Sequence, residues 1–330
     1  MKDLFLRSLI AASLATLVGC GISRNDSPLS TDSTVASTSE ACRFLGDAYE
    51  SKVVLPKGSH KGECADTTTA RSVIRILDDF PKNSDRLLVA NVSHAGSFWI
   101  ADFPRDGVEE VLFQMERFPA IVPAAHTQIR LRFKENSQVI LKNQLNPEKQ
   151  VTLRDFVLSA EALGQKGWSF DLMKGMKGEY LINYRITSLS DKFDWMIVKQ
   201  KHQVIQWPLK LSAEDKQKIL PAYLALANKE GMNKLYHTLS KNCTNELFRV
   251  MDSTLRYGAL SVLPINLNPF DEMYPVLVKS ALDARGLIQY VDNPAAYPPN
   301  RPLDKTTHVP DRFDVRWPNL EVDPTAVGAP

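Results

Sequence analysis

The first twenty residues constrain this chain most. Lys2 and Arg7 make a short basic start, and an apolar run from Leu9 to Val18 comes next, broken only by Ser13 and Thr16. A comfortable bilayer crossing takes about 20 apolar residues. This run is shorter and fits the core of an export signal. The remainder of the chain must then fold after export, in a compartment where disulfides persist. Of the 330 residues 44% are hydrophobic and 24% charged, an ordinary globular balance. That length supplies a sizeable core for one large domain or two small ones.

The run closes Leu17-Val18-Gly19-Cys20, which resembles a lipobox. The resemblance implies a signal peptide over 1–19, cleavage before Cys20, and diacylglycerol on the Cys20 sulfur. Gly21 comes next instead of the Asp that resembles an inner-membrane retention signal. In a two-membrane host the expected location is therefore the outer membrane, facing the periplasm. No later segment has 18 consecutive apolar residues, so lipid is the expected anchor to the membrane. Residues 20–40 are rich in Ser, Thr, Asp and Asn and read as a flexible tether. Residues 291–330 carry Pro294, Pro298, Pro299, Pro302 and Pro310 and read as a Pro-rich extension along the surface.

Three cysteines remain. Cys42 and Cys64 lie in a polar N-terminal region, where one disulfide would contribute about 3 kcal/mol by loop entropy. Cys243 is then an odd cysteine in an exported protein. The 40 basic and 38 acidic side chains give a formal net charge of +2, so no broad electrostatic grip on nucleic acid is expected. The sequence has no His-x-x-x-His, paired Cys-x-x-Cys or Gly-x-Gly-x-x-Gly. Neither a metal nor a nucleotide cofactor is expected.

Periodicity divides the rest into a helical, disulfide-bearing region over 41–84 and a main domain over 85–290. Val73, Ile76 and Leu77 predict a helix from Thr69 to Phe80, and Val108 to Phe118 reads as another. Ile129, Leu131 and Phe133 alternate with polar residues and predict a strand, which Gln138 to Leu141 would join across a turn at 134–137. Thr152 and Asp155 suggest a capped helix. Strands are expected over Tyr180–Ile186, Trp195–Val198 and Val204–Trp207. Helices are expected over Ala213–Asn228, Cys243–Leu255 and Met273–Arg285. The resulting fold class is α+β, an antiparallel sheet flanked by helices.

Cys243 stands just after Asn242, a good N-cap residue, and shares a helical face with Leu247, Val250 and Met251. In the first turn, free N–H groups and the helix dipole lower a thiol's pKa, and the thiolate is the nucleophile for acyl transfer. A buried structural cysteine would fit the same pattern. Six histidines are available as a base: His60, His94, His126, His202, His237 and His308. His126 opens the Ile129–Phe133 strand, though strict alternation sets it on the side of Arg130, away from the apolar residues. His94 is the reserve base.

Several segments in order resemble the family named for the N-terminal periplasmic domain of Lnb-type lipoprotein N-acyltransferases. They are Ala125-His126-Thr127 through Phe133, Glu179 through Tyr184, Ser190-Asp191-Lys192-Phe193-Asp194, and Leu235 through Thr244, which contains Asn242-Cys243-Thr244. The resemblance covers roughly residues 85–290 and implies a permuted papain-like, NlpC-related fold. It makes Cys243 the nucleophile and His126 its general base, with backbone N–H groups around Cys243 in an oxyanion hole. The family's Glu-x-Arg motif is replaced here by Leu141-Lys142-Asn143-Gln144. Asn143 or Gln144 would then orient the imidazole.

The sequence leaves two functions open. One is an envelope cysteine enzyme that transfers an acyl group or cleaves an amide or ester, on lipoprotein lipid or on peptidoglycan peptides. The other is a non-catalytic binding or scaffold lipoprotein that keeps the fold.

Overall fold

The computed structural model describes residues 42–76, 85–118, 125–200, 202–257 and 277–288, together with the backbone of 311–312. The signal segment, Cys20, the tether, His308 and nearly all of the Pro-rich extension lie outside the described residues.

Twelve strands form one sheet: β1 (Ile74–Arg75), β2 (Arg86–His94), β3 (Ser97–Pro104), β4 (Val108–Arg117), β5 (Ala125–Phe133), β6 (Val139–Asn143), β7 (Gln150–Leu153), β8 (Asp155–Leu163), β9 (Tyr180–Ser188), β10 (Gln203–Pro208), β11 (Leu235–Tyr236) and β12 (Asp311–Arg312). The order is β12-β10-β4-β5-β8-β9-β2-β3-β6-β7, with β1 on β2 and β11 on β9. Pairing is antiparallel except between β2 and β9, which meet in parallel at Ser93 and Thr187. The helices are α1 (Leu172–Met176), α2 (Leu189–Phe193) running into a π-helical turn (Asp194–Lys199), α3 (Ala213–Glu230), α4 (Cys243–Thr254) and α5 (Val278–Ala284).

This corrects the expected fold class. The chain builds a sheet-rich, mixed architecture, not an antiparallel sheet flanked by helices in a papain-like arrangement. Three expected helices account for much of the difference. Val108 to Phe118 forms β4: Val111, Phe113 and Met115 face the main core while Leu112, Gln114 and Glu116 are buried on the opposite face. A strand buried on both faces loses its alternation. The register shift between Val108 and Glu110 then supplies a false helical spacing. Thr152 lies within β7, and Asp155 opens β8 and pairs with Arg130 and Arg132 instead of capping a helix. Within Thr69 to Phe80, Ile74 and Arg75 add a short strand to β2, while residues 77–80 lie outside the described set. In the other direction, Trp195 to Val198 is the π-helical turn, not a strand. Nor do β5 and β6 form a hairpin: β6 pairs with β3 and β7.

The sheet is strongly coiled. Phe103 of β3 packs edge-on against Phe156 of β8 at 5.1 Å although β9 and β2 lie between their strands. Helices α3 and α4 close the main core, with Phe248 stacked on Phe113 at 5.5 Å. On the reverse face of β4, β5, β8 and β10 the buried side chains are largely polar. Gln128 donates to Gln114 at 2.9 Å and Gln114 donates to Gln206 at 2.8 Å, linking three strands. Phe193 and Met196 cover part of this face, packing with Val157 and Val204.

The N-terminal loops are knitted to the same sheet. Cys42 and Cys64 form a disulfide. Arg71, fully buried, pairs with Asp47, lies within 3.6 Å of Glu50 and covers the Phe98 ring at 4.2 Å. Asn91, held at φ 64 in the β2 bulge, donates its amide to the carbonyls of Tyr49 and Ser72. No helix among the described residues is long and apolar enough to cross a membrane.

Candidate functional site

Asn242 caps α4 through its side-chain oxygen, which accepts the N–H groups of Thr244 and Asn245 at 2.9 Å each. Its amide donates to the Thr238 carbonyl at 2.7 Å and so ties the cap to the preceding turn. Cys243 is therefore the first helical residue, and it is 3% exposed. Deeper in the core the Tyr184 hydroxyl lies 2.8 Å from Glu246 and 3.0 Å from Glu230, and Arg249 pairs with both carboxylates. These bonds fix α4 against β9 and α3.

The sulfur meets β5 where the sheet opens. Pairing of β5 with β8 ends at Ile129 and Leu158. Phe133 donates its N–H toward β8, to Arg154, and Thr127 has the same parity along the strand. With no ladder partner at that level, the Thr127 N–H donates to the Cys243 sulfur at 3.5 Å. The hydroxyls of Thr127 and Thr244 meet at 3.0 Å and lock strand to helix.

His126, the next residue along β5, couples electrostatically to the Cys243 thiol. Its Nε2 lies 3.9 Å from a Glu161 carboxylate oxygen. Glu161 in turn accepts from Lys192 at 2.6 Å, Ser159 at 2.7 Å and Arg185 at 2.8 Å. This chain of contacts sets the electrostatics. Burial pushes the Cys243 thiol up, but the coupling to His126 and two hydrogen bonds from Thr127 outweigh it, leaving the thiol at about 7. Burial opposes the imidazolium, yet Cys243 and Glu161 hold its pKa above the ordinary histidine value against the repulsion of Lys192. Burial likewise opposes ionised Glu161, and Arg185, Lys192 and His126 together hold it well below the usual carboxylate range. The Tyr236 hydroxyl lies beside the Cys243 backbone N–H, and burial holds its proton well above the usual phenol range.

The structure brings His126 and Cys243 together and leaves the expected orienting amides elsewhere. Asn143 accepts the N–H groups of Leu145 and Asn146 in its own turn. Gln144 bonds Asn91 and Asp47. Both sit at the end of β6, well removed from β5 in the sheet order. The carboxylate near the imidazole is Glu161, on a strand that sequence reasoning read as a helix. His94 is buried on β2 against Ser188 and Trp99, and His237 bonds within its own turn. The expected oxyanion donors are all engaged: the Asn242 side chain takes the N–H groups of Thr244 and Asn245, and the Tyr236 hydroxyl takes that of Cys243.

The coiled mixed sheet thus sets the Cys243 thiol at a helix tip, with the His126 imidazole and the Glu161 carboxylate nearby. The family described as Lnb N-terminal periplasmic domain matches residues 97–273, a span that holds His126, Glu161, Tyr236 and Cys243, and the chain belongs to that family. Membership makes this the periplasmic domain of a lipoprotein-processing type of protein, in the cell envelope. No curated protein and no solved structure matches the chain.

Proposed function

We propose that Cys243 and His126 form a thiolate–imidazolium pair that carries out acyl transfer, or amide or ester cleavage, on lipoprotein lipid or cell-wall peptides. The lipid on Cys20 would hold the domain to the periplasmic face of the outer membrane. The observation that supports this reading most is the electrostatic coupling of His126 to a sulfur already held by the Thr127 N–H.

In this mechanism the thiolate attacks the substrate carbonyl carbon and the imidazolium gives its proton to the leaving group. The Tyr236 hydroxyl, which accepts the Cys243 N–H, is the donor offered to the developing oxyanion. Glu161 positions the imidazole and favours its charged form, while Arg185 and Lys192 keep Glu161 ionised. Water or an amine then attacks the acyl-thioester, with neutral His126 taking its proton. Substrate approaches from the His126 side, whose side chain is 16% exposed.

A second reading, a scaffold domain that binds without chemistry, is favoured by the slight exposure of Cys243. One experiment separates the two. The full chain is incubated with a synthetic diacylglyceryl lipopeptide and its intact mass is followed. The enzyme reading expects the mass of one acyl group on Cys243, absent from Cys243→Ser and His126→Ala. Unchanged mass in the parent chain, under conditions where lipopeptide binding is measured directly, supports the scaffold.

A further inference from the structure

Helix α1 is amphipathic in the wrong sense for a water-facing element. Its one buried residue is Gly175, while Leu172, Met173 and Met176 are exposed, Met173 by 58%. Phe170, just before the helix, is half exposed. A surface helix ordinarily turns its large apolar side chains inward. Here the glycine faces inward because the helix lies very close to the turn at Thr238. A Cβ at Gly175 would clash with the Thr238 hydroxyl oxygen. The Thr238 N–H donates to the Gly175 carbonyl at 3.3 Å. The Thr238 carbonyl also accepts the Asn242 amide, so α1 is fixed to the loop that presents Cys243. The Phe170 ring meets Tyr236 edge-on at 6.0 Å, and Tyr236 flanks Cys243. The apolar patch is thus continuous with the rim of the site.

Three lysines and two acids border the patch, a formal charge of +1. Lys166 and Lys177 are exposed and Lys174 is partly exposed. The nearby acids are engaged: Asp171 accepts the Lys174 N–H and caps α1, and Glu179 accepts the Ser59 N–H. Exposed apolar side chains bordered by lysines suit the boundary between acyl chains and anionic headgroups.

We propose that α1 and Phe170 form a docking surface for an anionic phospholipid bilayer. The apolar side chains enter the acyl region and the lysines lie at headgroup level. This contact is separate from the lipid on Cys20 and sets the rim of the site against the membrane. It goes beyond the thiol chemistry and does not depend on it.

The test uses the full chain with Cys20→Ser, so that no acyl chain is attached, and sedimentation with vesicles of phosphatidylethanolamine and phosphatidylglycerol. The chain is expected to sediment with the vesicles. Leu172→Asp with Met173→Asp should lower the partition coefficient at least tenfold without shifting the thermal midpoint, since both side chains are exposed. Lys174→Glu with Lys177→Glu should weaken binding to these vesicles more than to phosphatidylcholine vesicles. Cys243→Ser should bind as the parent does, which separates this inference from the fate of the nucleophile. Failure of the parent chain to bind, or equal binding by the Asp double variant, overturns it. So does patch-dependent self-association without vesicles, which would put a second copy of the chain on this face.

Discussion

The backbone N–H of Thr127 donates to the sulfur of Cys243 at the level where the β5–β8 ladder has stopped. One residue earlier, His126 couples electrostatically to the same sulfur. The end of a strand pairing therefore supplies both a hydrogen-bond donor and a base, and the tip of α4 supplies the thiol. This junction explains how a half-polar strand and a distant helix form one site.

Thr127 contributes to the thiolate through its N–H and also through its hydroxyl. Thr127→Val keeps the first and removes the second, and also removes the bond to Thr244. The expected result is a modest rise in the Cys243 pKa, smaller than that caused by His126→Ala, with a stability loss of about 1 kcal/mol. Thiol alkylation against pH and chemical denaturation measure the two effects.

Glu161 ties the site to protein stability. Its folded pKa is depressed by Arg185, Lys192 and His126 against the cost of burial. The stabilisation is therefore complete above its unfolded value and is lost as pH falls through the folded one. Removing one partner of a buried ionic cluster costs about 3–5 kcal/mol. Glu161 keeps 19% of its side chain exposed, so about 2 kcal/mol is expected for Glu161→Gln at pH 7. The gap between the two proteins should be flat above about pH 5 and narrow below about 4, by urea denaturation at each pH. A gap that widens in acid contradicts this assignment. The same variant should lower the charged fraction of His126 and so raise the thiol pKa.

Arg71 tests the junction of the N-terminal loops with the sheet. It is fully buried, pairs with Asp47 and donates to the Thr67 carbonyl at 2.9 Å. Arg71→Ala leaves Asp47 without that cation and empties the space over Phe98, for an expected loss of about 3–5 kcal/mol. Limited proteolysis should then cut first within 42–70. Equal protease resistance of the two proteins would falsify the view that this residue anchors the loops.

How far the sequence revealed these features depended on one physical condition, the wetness of a strand's second face. β9 and β10 showed enough alternation to be read as strands. α4 announced itself through the Asn242 cap, which accepts N–H groups of its helix. β4 and β8 bury both faces, so alternation vanished; β4 then read as a helix, and Thr152 with Asp155 suggested a helix cap at the start of β8. The reverse face of β5 was legible as polar but not as buried, because its partial cover comes from α2 and the π-helical turn. Cys243 and His126 were chosen through a cap residue and a family pattern. Glu161 was missed because a carboxylate two strands' worth of sequence away carries no local signal. Asn143 and Gln144 were chosen for proximity in sequence, which the strand order of the sheet does not respect.

Activation of Cys243 by His126 is tested most directly by iodoacetamide labelling of Cys243 in the full chain, tracked by peptide mass across pH, for the parent and for His126→Ala. The parent should label with a midpoint at about 7. In His126→Ala burial is no longer opposed by the imidazolium, and the midpoint should rise above about 8.5, the ordinary thiol value. A midpoint near 8.5 in both proteins would contradict that activation.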